Sequence, residues 1–148
     1  MIRKILVFLN KKKYPLPKNG SRLILIVEDN EEDRGSYKRV VQKMGHRSTL
    51  ADNGETGLTL ARTLRPDLIL TNCHLPLLSG TEMCRRLKED EQTKNIPILF
   101  LTEDDTPKNI LDCFDLDAEN FLSKPVSSKL LASQIQMILN DNASSRTQ

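Results

Sequence analysis

Apolar residues recur along the chain in two alternating rhythms. Leu23 to Val27 is an unbroken aliphatic run, as expected of a strand covered on both faces, and it ends at Glu28-Asp29-Asn30. Tyr37, Val40, Val41 and Met44 then repeat at the spacing of one helical face, and Gly45 closes the helix. The unit repeats. Ser48 to Ala51 reads as a short strand, Asp52-Asn53-Gly54 as a turn with a helix cap, and Leu58, Ala61 and Leu64 as a second helical stripe ending before Pro66. Leu68 to Thr71 is a third strand, followed by a loop through Leu75-Pro76 and a helix with Met83, Cys84 and Leu87 on one side. Ile98 to Leu101 is a fourth strand, and Thr106-Pro107 opens a helix containing Ile110, Leu111 and Phe114. Asn120 to Leu122 gives the fifth strand, and Leu131, Ile135, Ile138 and Leu139 stripe a closing helix before a polar tail from Asp141.

Five strands with intervening helices predict an α/β fold: a five-stranded parallel sheet, order 2-1-3-4-5, with helices on both faces and right-handed crossovers. At 148 residues the chain has the length of one domain. We read residues 1–20 as a basic leader or linker, 21–140 as the domain and 141–148 as a polar tail, with no output domain following. No apolar run approaches the 18 or so residues of a membrane span, and no signal-peptide pattern opens the chain, so a cytoplasmic location without membrane contact is expected.

Charge is more informative split than summed. The net charge is +2, yet seven of the 22 basic residues precede Glu28, the first acidic one, leaving 15 basic against 20 acidic residues after them. A lysine-rich arm suits a phosphate backbone, but no aromatic residues for base stacking accompany it, so nucleic-acid binding is not expected. Cys73, Cys84 and Cys113 form no CxxC pair, and His46 and His74 are too scattered for a metal cluster.

In a sheet of this order the ligand crevice lies beyond the carboxyl ends of the strands. Glu28, Asp29, Asn72, Thr102 and Lys124 collect there. Adjacent carboxylates beside oxygen-rich neighbours suit Mg²⁺, although Glu28-Asp29 alone equally suits a helix N-terminus. A nucleotide or flavin site on such a fold would call for a glycine-rich loop after the first strand, and Glu28-Asp29-Asn30 is not one.

Over Ser21 to Asn140 the sequence resembles the receiver domain of two-component response regulators, which has a flavodoxin-like fold. The resemblance is carried by Ile24-Leu25-Ile26-Val27-Glu28-Asp29-Asn30, Pro66-Asp67-Leu68-Ile69-Leu70, Leu75-Pro76 with Ser79-Gly80, Ile98-Leu99-Phe100-Leu101-Thr102 and Phe121-Leu122-Ser123-Lys124-Pro125. It implies that Glu28, Asp29 and the backbone carbonyl of His74 hold Mg²⁺, that Thr102 and Lys124 contact a phosphoryl group, and that Phe121 is a switch aromatic. It further implies a protein partner, a histidine kinase or a downstream effector, docking on the surface of helix four, strand five and helix five. A second copy of the chain is another candidate partner.

The departure that matters is Asn72, which stands where the family carries its phosphoacceptor aspartate. An amide is uncharged, its nitrogen lone pair is delocalised, and it cannot form an acyl phosphate. It also removes one negative charge from the metal site, which weakens Mg²⁺ binding. The expectation is therefore a pseudo-receiver in phosphorelay signalling, not an enzyme, that is not phosphorylated at Asn72 and acts by protein contacts. The alternative is a phosphoacceptor whose native aspartate at 72 is replaced here and which takes phosphate from a histidine kinase with Mg²⁺. Two further departures favour the first: Glu103 replaces a small residue after Thr102, and Asp117 replaces a glycine shortly before strand five. Glu103 prompts a further expectation, that its carboxylate pairs with Lys124 and imitates a phosphoryl charge. Cys73 and His74 read as loop residues.

Overall fold

The computed structural model describes residues 20–104, 106–115 and 120–146. The basic leader, apart from Gly20, and Asp117 lie outside the described residues, as do the side chains of Leu111, Cys113 and Phe114. Five strands, β1 (Leu23–Val27), β2 (Arg47–Ala51), β3 (Leu68–Thr71), β4 (Ile98–Thr102) and β5 (Asn120–Ser123), form one parallel sheet in the order β2-β1-β3-β4-β5. The helices are α1 (Glu31–Lys43), α2 (Gly54–Leu64), α3 (Gly80–Glu89), α4 (Pro107–Asp115) and α5 (Ser128–Arg146). The strand order is the expected one.

Alternation along the strands sorts the core into two layers. Leu25, Val27, Ile69 and Phe100 face α2 and α3 and pack with Leu58, Ala61, Met83 and Leu87. Ile24, Ile26, Leu70 and Leu99 face the other side and pack with Tyr37, Val40, Val41, Leu131 and Ile135 of α1 and α5. β1 is buried along its whole length because it lies inside the sheet and is roofed on both faces, which explains its lack of polar residues. None of the helices among the described residues is long and apolar enough to cross a membrane.

Helix starts follow side-chain capping. Asn30, Asn53 and Ser79 accept hydrogen bonds from the backbone N–H of Asp33, Thr56 and Glu82, at the first turns of α1, α2 and α3. Helix α5 runs on to Arg146, through residues whose polarity suggested a tail. Neither Gly nor Pro interrupts that stretch, and Gln136 donates to Asn140 one turn on, at 2.9 Å. The outcome at the top of the sheet is a set of loops, those after β1, β3 and β4 following strands that are paired on both sides.

Candidate functional site

Glu28 leaves β1 fully buried, its N–H donating to the Ala51 carbonyl at 3.0 Å. Both carboxylate oxygens are engaged. Oε1 accepts from the Asn30 N–H at 3.1 Å, and Oε2 accepts from Lys124 Nζ at 2.9 Å. The next residue, Asp29, is exposed. Asn72 follows β3 directly, and its N–H donates to the Val27 carbonyl at 3.2 Å, so the end of β3 is tied to the end of β1. Its side-chain Oδ1 is buried and has no hydrogen-bond partner, an arrangement that costs about 1–3 kcal/mol unless something fills the place.

Thr102 ends β4 with a buried hydroxyl that accepts from the Asp104 N–H at 3.2 Å. Lys124 follows β5, its N–H donating to the Thr102 carbonyl at 2.9 Å. Its side chain reaches back across the sheet end to Glu28 and to Asp33 on α1, with Nζ 3.0 Å from Asp33 Oδ2. Burial pulls the Lys124 ammonium toward neutrality, but the hydrogen bonds to Glu28 and Asp33 outweigh it and raise its pKa. Burial likewise raises the Glu28 carboxyl, against the pull of Lys124 and the Asn30 N–H. The Tyr37 hydroxyl, beside the same ammonium, is pushed up to about 12 by burial.

Glu28, Asp29, Asn72, His74, Thr102, Glu103 and Lys124 all line one cavity of about 490 Å³, together with Asn30, Asp33 and Asp104. A smaller cavity of about 290 Å³ adjoins it, sharing Asp33, Glu103 and Lys124 and walled by Tyr37 and Val126. At the mouth, His74 Nε2 lies 2.7 Å from Asp104 Oδ2, and this hydrogen bond, with those from Thr106, holds the Asp104 carboxyl below its usual range. Phe121 is half-buried on β5 and packs against the core layer under α2 and α3; it is not among the residues lining the cavity.

The pairing of Glu103 with Lys124 is not formed. Glu103 is exposed, and Lys124 is held by Glu28 and Asp33 instead. Thr102 is the last inward residue of β4, so the residue after it turns to solvent, whereas Asp33 sits on the face of α1 that looks at the sheet. Asp33 and Tyr37 were missed in the sequence. The signal was there: Asp33 precedes Tyr37 by four residues, so the apolar stripe of α1 extended back one turn reaches it.

The oxygen-only donors at the cavity floor suit a hard cation such as Mg²⁺. Asp29 offers an exposed carboxylate, Asn72 a buried carbonyl oxygen with nothing bound to it, and Glu28 an oxygen now shared with Lys124. Of these three donors two are carboxylates, and no group of three His, Cys, Asp or Glu side chains is arranged for a metal among the described residues.

The profile of the family described as "Response regulator receiver domain" matches residues 24–136. The transcriptional regulatory protein AfsQ1 of Streptomyces coelicolor is 33% identical over 116 residues, which cover 78% of this chain and 50% of that protein. Protein PilH of Pseudomonas aeruginosa is 32% identical over 116 residues, covering 78% of this chain and 96% of PilH. The chain thus spans about half of the first relative and nearly all of the second. Among solved structures, the receiver domain of a Pseudomonas aeruginosa sensor histidine kinase, with a magnesium ion coordinated in its active-site cleft, is 28% identical with a TM-score of 0.72, over 82% of this chain and 97% of that one.

Proposed function

Because the chain belongs to the response regulator receiver domain family, and so to two-component signalling, we propose that it is a pseudo-receiver: not phosphorylated at residue 72, not an enzyme, and active through protein–protein contacts. One observation carries this reading. The side chain at the end of β3, at the floor of the cavity, is an amide whose Oδ1 has no partner, where acyl-phosphate chemistry needs a carboxylate.

Phosphoryl transfer to such a site requires an attacking carboxylate oxygen and cations that draw the developing charge. Asn72 supplies no nucleophile, and Lys124 is already bound to two carboxylates. Mg²⁺ would be held by Asp29, Glu28, the Asn72 Oδ1 and the His74 carbonyl, with binding weakened by the missing charge at 72. When bound, it would neutralise phosphate oxygens. Thr102 would bond a phosphoryl oxygen through its hydroxyl, and Phe121 would report the state of the site by its rotamer.

Partners would be a histidine kinase or a downstream effector, docking on α4, β5 and α5, with a second copy of the chain using the same surface. The exposed Leu130 and Met137 of α5 support that choice. Without phosphorylation, output follows partner level, because no covalent ligand biases one state of the domain over another.

Intact mass after incubation with Mg²⁺ and acetyl phosphate tests the reading. The native chain is expected to stay unmodified and Asn72→Asp to gain one phosphoryl group. A phosphorylated native chain would overturn it.

A further inference from the structure

We propose that Asp33 is a positioning residue whose carboxylate draws Lys124 onto α1 and keeps its ammonium from residue 72. The inference rests on residue 72 being the acceptor position. A lysine ammonium has three N–H donors and no acceptor. Here Glu28 Oε2 takes one at 2.9 Å and Asp33 Oδ2 another at 3.0 Å. Asn72 Oδ1, on the same cavity, takes none, although it is buried and free to accept.

Charge explains the arrangement. The Lys124 side chain is only 7% exposed, and such a cation needs anionic neighbours to remain in place. Glu28 is one, and Asn72 contributes no charge. Asp33 is the other, reached because it lies on the third residue of α1, one turn before the inward-facing Tyr37. A chain restored to a carboxylate at 72 would therefore present it to a lysine already bound by two others, so that substitution alone gives a slow site. The Asp33 side chain is 38% exposed, so replacing it leaves no buried void and the fold is retained.

Two measurements test this. In ¹⁵N-lysine-labelled native chain, the Lys124 ammonium, assigned by its loss in Lys124→Arg, is expected to give a slowly exchanging N–H signal. That signal should vanish in Asp33→Asn and persist in Asp33→Glu, which keeps the charge. In the second, phosphorylation from acetyl phosphate at saturating Mg²⁺ is followed by intact mass. Asn72→Asp/Asp33→Asn is expected to react at least five-fold faster than Asn72→Asp, and Asn72→Asp/Asp33→Glu to stay within two-fold of it. An ammonium signal unchanged in Asp33→Asn, or equal rates with and without the Asp33 carboxylate, would overturn the proposal. If no chain carrying Asn72→Asp takes phosphate, the reading of residue 72 fails, and a signal that still depends on Asp33 supports its hold on Lys124 alone.

Discussion

Gly80 and Leu77 make opposite demands on the loop that carries Asn72. A Cβ added at Gly80 would lie 1.8 Å from the Asn72 carbonyl oxygen, which is backbone and cannot swing aside. Gly80→Ala should therefore push the end of β3 outward and destabilise the chain by about 3 kcal/mol, the upper range for overpacking. Leu77, in the same loop, adopts φ +67° and is 74% exposed, so it bears left-handed strain with little packing in return. That strain is about 1–2 kcal/mol, and the extra unfolded-state freedom of glycine offsets about 0.5–1 of it. Leu77→Gly should raise the urea midpoint modestly at unchanged slope. A lower midpoint would mean the exposed leucine makes stabilising contacts.

At the scale of elements, what was legible in the sequence was what burial dictates. β1, β3 and β4 are internal strands, and their apolar runs mark them without ambiguity. Glu28, Asp29, Asn72, Thr102 and Lys124 were legible for the same reason, because each stands just after or at the end of a strand and a parallel sheet gathers those ends. What escaped was set by side-chain reach. Spacing turns Asp33 toward the sheet with Tyr37, but it does not say which of several carboxylates around one cavity the Lys124 ammonium takes. The end of α5 escaped because a helix can outlast its apolar stripe where no breaker stops it. The cap of α2 was legible, and its energy is measurable. Asn53 Oδ1 accepts from the Thr56 N–H at 2.8 Å, so Asn53→Ala should cost about 1 kcal/mol in chemical denaturation and Asn53→Gly only a few tenths. Equal losses for both would show that the side chain acts through something other than the cap.

For the whole molecule, pH acts through a histidine far from the cavity. His46 is buried at the turn between α1 and β2, and its Nδ1 accepts from the Arg22 N–H at 3.1 Å, joining that turn to the start of β1. Burial lowers its pKa below the usual 6.5, helped by Arg22 and Arg47 and opposed by Asp67. Protonation would destroy the acceptor and bury a charge beside two cations, so the unfolded chain binds the proton more readily. His46 thus contributes stability that is complete above pH 6.5 and is lost as pH falls from there through its lower folded value, with a slope of at most about 1.4 kcal/mol per pH unit for one proton. Glu28 works in the other direction. Its folded pKa is raised, so the stability it contributes is present below its ordinary value of 4.5 and is lost as pH rises through the folded one. His46→Asn isolates the histidine, because its Oδ1 can still accept from Arg22 but does not titrate. Urea midpoints of the native chain should fall between pH 7 and pH 5.5 more steeply than those of His46→Asn. Parallel profiles would mean that His46 titrates alike in the folded and unfolded chain.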